Sequence, residues 1–185
     1  MKVIIFGATG SVGRLAVEHL LADGHEVTAF ARRPDAIEIT DPKLKRLTGN
    51  VMILKEVCNA VAGQDAVVVT LGSGTSRKSI VRSRGTDHIV KAMQHHHVDR
   101  LICQSTLGTG DSWSNLNFFW KRIMFGLLLR PVFLDHERQE QLVRESGLAG
   151  ERRLRLKISR ADVAGFLTSC LRDTTYMHQA VGISH

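Results

Sequence analysis

The stretch Met1–Gly13, M-K-V-I-I-F-G-A-T-G-S-V-G, decides the fold of this chain. Its short apolar run, Val3–Phe6, breaks into three glycines, and a helical pattern with apolar residues on one face follows at once. A parallel α/β domain uses this order of strand, glycine turn and helix to present backbone N–H groups and a helix N-terminus to a pyrophosphate. The stretch therefore predicts an α/β fold, a Rossmann-like doubly wound parallel sheet in a single domain.

Each glycine of this loop has a separate predicted role. Gly7 permits a tight turn, Gly10 lets the backbone approach the phosphates, and Gly13 lets the helix pack close to the strand. Their spacing is G-x-x-G-x-x-G, which differs from the G-x-G-x-x-G of ordinary dehydrogenases, and a plain strand-to-helix turn is the alternative interpretation. The predicted dinucleotide-binding residues of the loop are Gly7, Thr9, Gly10, Ser11, Val12 and Gly13.

The end of the next predicted strand, Glu26–Ala31, indicates which dinucleotide is preferred. An acidic residue there would bind the ribose 2′-hydroxyl of NAD, but this chain continues with Arg32 and Arg33. Two guanidinium groups suit a 2′-phosphate because arginine donates paired hydrogen bonds to phosphate oxygens. The sequence therefore predicts NADP(H) in preference to NAD(H), and a solvated basic turn is the alternative.

The remaining strands and helices alternate as expected for such a sheet. Further strands are predicted at Lys43–Leu47, Ala66–Leu71 and Arg100–Ser105. Helices are predicted at Lys55–Ala62, Thr86–His96, Glu137–Glu145 with Asp135 as N-cap, and Val163–Leu171 behind a Ser159–Asp162 capping box. Ligands bind beyond the carboxyl ends of parallel strands. This edge adds the following predicted cofactor-binding residues: Asn50, Val51, Leu71, Gly72, Ser73, Gln104 and Ser105.

Length, charge and cysteine content restrict the class of protein. A chain of 185 residues suits one domain, and we predict that it extends over residues 1–185. The three widely spaced cysteines fit reduced thiols in a cytoplasmic protein, and the charged start does not resemble a signal peptide. The net charge of +7 comes from scattered basic residues without interleaved aromatics, so we predict an anionic cofactor and a small-molecule substrate rather than nucleic acid.

Two further segments stand out without predicting a new function. His95, His96 and His97 point in different directions at a helix end, so no metal site is predicted. Asn117–Leu134 is rich in large apolar residues, but charged residues interrupt it and its apolar runs are too short to span a membrane. We expect this segment to cover a substrate pocket or form a dimer face, with an interfacial membrane helix as the alternative, in a monomer or homodimer.

These motifs in order resemble the atypical short-chain dehydrogenases/reductases. The matching stretches are G-A-T-G-S-V-G, A-R-R-P, A-G-Q-D-A-V-V-V-T-L-G, H-V-D-R-L-I, D-H-E-R-Q-E, R-E-S-G-L and I-S-R-A-D-V-A. More narrowly, the chain is similar to the NAD(P)H-binding family that includes biliverdin IXβ reductase, or flavin reductase. The resemblance implies that Asn50–Val51 forms the adenine loop, with Asn50 replacing the family's usual Asp. It also implies that Leu71–Ser73 follows the ribose and that Gln104–Ser105 lies beside the nicotinamide.

The resemblance also directs the expectations for catalysis. The Tyr-x-x-x-Lys pair of short-chain dehydrogenases is absent, since the single tyrosine, Tyr176, lies in the tail without a lysine four residues on. Reduction of a flavin or linear tetrapyrrole needs only hydride from NADPH and a proton from water or a nearby acid. Ser105 and His136 are the candidate catalytic residues. His136 is expected to be a proton source with a pKa near neutrality, and a helix N-terminal residue without a catalytic role is the alternative.

The chain departs from the family after Arg144–Leu148. There the family continues with another strand and a proline-containing loop over the nicotinamide, whereas only Ala149–Lys157 precedes Ile158 here. We expect a short edge strand in this segment, no closing loop, and an irregular tail after Asp173. Three functions are compared: an NADPH-dependent reductase of flavins or similar conjugated molecules, a non-catalytic NADP(H)-responsive regulatory or scaffold protein, and a sugar-nucleotide epimerase or dehydratase. The missing loop and the absent Tyr–Lys pair favour the second, and the short chain argues against the third.

Overall fold

The computed structural model describes residues 1–72, 80–104, 130–147, 149–154, 159–172 and 180–182. Strands and helices alternate along these ranges, with one 3-10 helix at Pro34–Ala36. The strands are β1 Lys2–Phe6, β2 Glu26–Ala31, β3 Leu44–Thr48, β4 Ala66–Val69, β5 Arg100–Gln104, β6 Ala149–Leu154 and β7 Ala180–Gly182. The helices are α1 Ser11–Ala22, α2 Leu54–Val61, α3 Val81–His96, α4 Arg130–Glu145 and α5 Arg160–Ser169.

The strands form one parallel sheet in the order β3-β2-β1-β4-β5-β6-β7. The strand order reverses between β1 and β4, so connections leave this point in both directions, as in a doubly wound sheet. The predicted Rossmann-like α/β fold is confirmed. The extent of the domain over residues 1–185 stays a prediction.

Side-chain alternation in β1 divides the core into two layers. Val3 and Ile5 are fully buried in the layer formed with α1 and α5, while Ile4 and Phe6 are fully buried against α2 and α3. A parallel strand covered by helices on both faces needs apolar residues at every position. This burial on both faces explains why the sequence of β1 is an uninterrupted apolar run from Val3 to Phe6.

The turn after β1 requires glycine at two positions. Gly7 has a φ of +91°, and a Cβ there would lie 2.6 Å from the carbonyl oxygen of Thr70. A Cβ on Gly13 would lie 2.2 Å from the carbonyl oxygen of Gly7. The tight turn and the close approach of α1 to the strand, which the sequence predicted for these glycines, are confirmed.

Helices α3 and α4 begin at least five residues earlier than predicted. Helix α3 starts at Val81 rather than Thr86, and α4 starts at Arg130 rather than Glu137. The prediction that Asp135 caps α4 is therefore wrong, because this residue lies inside that helix. The predicted cap of α5 is confirmed: the Oγ of Ser159 accepts a hydrogen bond of 3.1 Å from the backbone N–H of Asp162.

The C-terminal part of the sheet also differs from expectation. Strand β6 forms, but it lies between β5 and β7 and is not an edge strand. The tail is not wholly irregular, because Ala180–Gly182 forms β7. Several expectations concern residues outside the described ranges. These are the absence of a closing loop at residues 155–158, and most of the apolar segment, at residues 117–129. Ser73, Ser105 and Tyr176 also lie outside the described ranges.

The opposite edge of the sheet is formed by β3, which carries basic residues. Arg46 of this strand donates hydrogen bonds of 2.7 Å to the carbonyl oxygen of Ile37 and 2.5 Å to that of Ile39. These bonds tie the segment after the 3-10 helix to the edge strand. Within the described ranges, no helix is long and apolar enough to cross a bilayer.

Candidate functional site

A cleft of about 870 Å³ lies at the carboxyl edge of the sheet, where the strand order reverses. Most of the residues predicted at this edge contribute to its walls. The predicted residues that line it are Gly7, Thr9, Gly10, Ser11, Val12, Arg32, Asn50, Val51, Leu71, Gly72, Gln104 and His136. The structure thus brings the loops after β1, β2, β3 and β4 together with Gln104 at the end of β5 and with His136 of α4.

Several predicted residues lie elsewhere, and others were not predicted. Gly13 is buried inside the turn, and Arg33 is exposed and does not line the cleft. The sequence did not identify the lining residues Phe30, Ala31, Gly49, Met52, Thr70, Val81 and Arg82. Arg82 was missed because it lies on the first turn of α3, which begins earlier than the sequence pattern indicated.

The N-terminus of α1 opens into this cleft. Its N-cap is Gly10, which has no side chain to accept hydrogen bonds from the first turn, and this turn carries no acidic residue. The Nε of Arg14 donates to the carbonyl oxygen of Thr9 at 3.2 Å, which places a further positive charge on the loop. Such a helix terminus offers N–H donors and a positive field to an anion.

The charges around the cleft favour an anionic ligand. Among the described lining residues, Arg32 and Arg82 are cationic and none is a carboxylate. Arg32 is exposed at the end of β2, so its guanidinium group remains accessible to a ligand. A carboxylate at this position would repel a phosphate, whereas arginine binds it through paired donors.

Three hydrogen bonds that involve side chains hold the loop after β3. The Oδ1 of Asn50 accepts one from the backbone N–H of Met52 at 3.0 Å, and Glu56 accepts one from the N–H of Asn50 at 2.7 Å. The Nδ1 of His88, a buried residue of α3, lies 2.9 Å from the carbonyl oxygen of Val51. His88 thus holds the backbone of this loop in place. The sequence could not predict this role, because the spacing of apolar residues in α3 does not show what a buried histidine contacts.

A glycine in α3 lets the helix approach two walls of the cleft. A Cβ on Gly85 would lie 2.9 Å from a methyl carbon of Leu71 and 3.0 Å from one of Val51. Glycine within a helix costs about 1 kcal/mol relative to alanine. Close packing against the cleft walls is the physical reason for its presence here.

His136 of α4 also lines the cleft. It is 9% exposed, and its Nδ1 is buried without a hydrogen-bond partner among the described residues. Burial, with a smaller contribution from the positive charge of Arg82, lowers the pKa of His136 to about 3. The expected pKa near neutrality is wrong, because desolvation disfavours the charged imidazolium.

Asp135 positions the helix that carries His136. Its carboxylate is 2% exposed and accepts hydrogen bonds from the backbone N–H groups of Arg82 at 3.2 Å and Ser83 at 3.1 Å. The Oγ of Ser83 donates a further short hydrogen bond to the same carboxylate. Burial lowers the pKa of Arg82, and Asp135 opposes this shift. Helices α3 and α4 are therefore joined next to Arg82 and His136, which line the cleft.

The fold and the cleft define a dinucleotide-binding protein of the Rossmann type. A family model described as NAD(P)H-binding matches residues 7–149, which include the glycine loop and the strand ends around the cleft. The chain belongs to this NAD(P)H-binding family.

Curated relatives match part of the chain. A 3-beta-hydroxysteroid dehydrogenase from Mycolicibacterium neoaurum is 33% identical over 113 residues, which cover 55% of this chain and 31% of that protein. A 2-alkyl-3-oxoalkanoate reductase from Stenotrophomonas maltophilia is 31% identical over 111 residues, covering 57% of this chain and 33% of the relative. The matched region thus spans about a third of each relative.

Solved structures share the fold over nearly the whole chain. The oxidoreductase ylbE from Lactococcus lactis superposes with a TM-score of 0.86 at 17% identity, covering 98% of this chain and 90% of that one. ChuY, an anaerobilin reductase from Escherichia coli O157:H7, gives 0.78 at 21% identity, covering 98% and 96%. A short-chain dehydrogenase/reductase from Veillonella parvula in complex with NADP gives 0.79 at 18% identity, covering 100% and 94%.

Proposed function

We propose that this protein is an NADPH-dependent reductase of flat, conjugated small molecules such as flavins or linear tetrapyrroles. The observation that carries this proposal is the cleft itself, in which the open N-terminus of α1 faces the same space as Arg32 and no described lining residue is a carboxylate. This arrangement suits a ligand with a pyrophosphate and a 2′-phosphate.

We assign the residues of the cleft to the parts of NADPH in the order in which their strands lie side by side in the sheet. Gly7–Val12 and α1 would hold the pyrophosphate, Arg32 the 2′-phosphate, and Asn50–Val51 the adenine. Leu71 and Gly72 would lie along the second ribose, and Gln104 beside the nicotinamide. Arg33, Ser73 and Ser105 stay predicted contacts of the 2′-phosphate, ribose and nicotinamide, respectively.

The protonation state of His136 favours substrates that need no proton from the protein. NADPH supplies a hydride when it is bound. With a pKa of about 3, His136 is neutral at neutral pH, so it can orient a substrate by hydrogen bonding but has no imidazolium proton to give. A conjugated acceptor that takes its proton from water suits such a cleft better than a carbonyl that needs an acid. ChuY, which shares this fold, is an anaerobilin reductase.

A second function is favoured by the same histidine. A protein that binds NADP(H) without turnover needs no proton donor, and the neutral His136 fits that requirement as well. The two functions differ in one measurable property, because only the reductase oxidises NADPH when an acceptor is present.

The proposal extends to the location of the protein. All three cysteines lie in described parts of the chain and none forms a disulfide, which favours a reducing compartment such as the cytoplasm. We propose a monomer or homodimer that binds neither nucleic acid nor a membrane.

The test begins with calorimetric titration of the purified chain with NADPH and NADH. We expect preference for NADPH, and Arg32→Ala should weaken NADPH binding about 10- to 100-fold while leaving NADH binding nearly unchanged, because it removes a charge-assisted phosphate contact. Arg33→Ala tests the second contact predicted from the sequence, and because Arg33 does not line the cleft, its loss should have a smaller effect than that of Arg32.

Turnover is then measured as NADPH oxidation with FMN and with biliverdin as acceptors. Oxidation above the buffer rate supports the reductase. Tight binding without oxidation by either acceptor favours the non-catalytic function, and failure to bind either dinucleotide overturns both.

A further inference from the structure

Helices α2 and α3 bring three potential metal ligands together on the side of the sheet that they cover. The ligand atoms of Cys58, His95 and His96 all lie within 4.8 Å of one another. The Sγ of Cys58 is 3.3 Å from the Nε2 of His96, and the rings of His95 and His96 meet edge to face with centroids 4.7 Å apart. Cys58 and His96 are half-buried, and His95 is exposed.

The distances are close to those of a tetrahedral zinc site. Zinc bonds of about 2.3 Å to sulfur and about 2.0 Å to nitrogen place tetrahedral ligand atoms about 3.5 Å apart. The pair formed by Cys58 and His96 already has nearly this separation. The side chain of His95 is exposed and not held in the core, and its ligand atom already lies within 4.8 Å of the other two.

We propose that Cys58, His95 and His96 bind one Zn²⁺ ion, with water as the fourth ligand. One thiolate and two imidazoles form a donor set that suits zinc, and an open fourth position is a known arrangement for this ion. Binding requires loss of the thiol proton and produces no redox change, because zinc has a single stable oxidation state in proteins.

The proposed site is separate from the dinucleotide cleft. Val81, the first residue of α3, lines the cleft, whereas His96 is the last residue of this helix. A helix of 16 residues is about 24 Å long, so the ion would lie at the far end of α3. Its role would be to cross-link α2 and α3, and the proposal does not depend on the reductase function.

The sequence alone did not predict this site. Three adjacent histidines point in different directions, and the expectation of no metal site followed from them. The ligand that changes this interpretation is Cys58, which is 38 residues from His96 and reaches it only because α2 packs against α3. The three adjacent histidines of the sequence do not show that Cys58 lies next to them.

The test uses the chain without a polyhistidine tag, in a phosphine reductant that does not compete as a thiol. Zn²⁺ is titrated against a chromophoric chelator, and Co²⁺ is used as a spectroscopic probe. We expect one equivalent of Zn²⁺ and a thiolate-to-cobalt charge-transfer band. Cys58→Ser should remove this band. Both Cys58→Ser and His96→Gln should weaken Zn²⁺ binding by at least roughly 10- to 100-fold, because loss of a residue that only supports a metal ligand already costs this much.

The matched control is His97→Asn. His97 is exposed and has a φ of 55°, and asparagine tolerates this left-handed conformation. This variant should keep the zinc affinity and the cobalt band of the parent chain. A parent chain without the cobalt band overturns the proposal, as does zinc affinity that is unchanged in Cys58→Ser. Either result would leave Cys58 and His96 as a thiol–imidazole hydrogen bond only.

Discussion

Asp135 of α4 caps a helix to which it does not belong: its Oδ1 accepts a hydrogen bond of 3.1 Å from the backbone N–H of Ser83, 52 residues earlier in α3. Side chains that cap a helix usually come from the residue just before it. Here Ile80 occupies that position and makes no side-chain cap. The beginning of α3 therefore depends on the packing of α4, and both helices contribute residues to the cleft.

This relationship predicts the effect of replacing the capping carboxylate. Asp135→Ala should lower the free energy of unfolding by about 1–3 kcal/mol, because it leaves buried N–H groups of α3 without their acceptor. Glu137→Ala, at an exposed position of the same helix, should have little effect. Urea unfolding of the two variants measures the difference, and equal stability would contradict the proposed cap.

The lowered pKa of His136 predicts a pH dependence of stability. Its pKa is about 3 in the folded protein and 6.5 in the unfolded chain. Between these values the unfolded chain binds the extra proton, so His136 makes the protein less stable as the pH falls from 6.5 towards 3. The slope approaches about 1.4 kcal/mol per pH unit.

His136→Gln should remove this contribution. Between about pH 7.5 and about pH 5, the parent chain should lose about 2 kcal/mol more unfolding free energy than the variant. Urea unfolding at the two pH values provides the measurement. The difference between the proteins is the readout, because their other titratable groups are the same. An identical loss in both would show that His136 is not desolvated.

The buried contact between His88 and Val51 predicts a positioning effect on dinucleotide binding. His88→Leu leaves the carbonyl oxygen of Val51 without its donor, so NADPH affinity should fall several-fold and stability by about 1–3 kcal/mol. His88→Asn places an amide N–H near the position of Nδ1 and should recover much of the affinity. Calorimetry and urea unfolding separate the two effects. If leucine and asparagine were equivalent, the hydrogen bond would have no part in holding the loop.

Two helical glycines should respond to alanine in opposite ways. Gly13→Ala would place a Cβ 2.2 Å from a backbone oxygen, which the neighbouring chain cannot avoid, so we expect loss of several kcal/mol or failure to fold. Gly165→Ala meets its nearest atom at 3.8 Å and should stabilise α5 by about 0.5–1 kcal/mol. Thermal unfolding compares the two. Tolerance of alanine at Gly13 would show that the close contact with Gly7 is not required.

The sequence predicted the parts of the fold that depend on neighbouring residues. The apolar run of β1 and the three glycines after it identified the sheet and its loop, because both faces of β1 are buried and the turn leaves no room for side chains. The capping box at Ser159 was predictable for the same reason, since all of its atoms belong to four consecutive residues.

Features that depend on distant residues were not predictable in this way. Helix α3 begins at Val81 although Ser83 and Gly85 are poor helix formers, because Asp135 supplies the missing cap from another helix. The early start of α4 had one local signal, Pro131, which is favoured in the first turn of a helix. The low pKa of His136 follows from burial, which no local pattern encodes.

The bonds from Arg46 to the carbonyl oxygens of Ile37 and Ile39 have a consequence for self-association. An uncovered edge strand can recruit a strand from another molecule and begin aggregation. On β3, a tethered neighbouring segment and the charged side chains of Lys45 and Arg46 oppose such recruitment. The edge formed by β3 is consequently a poor surface for strand pairing between two copies of this chain.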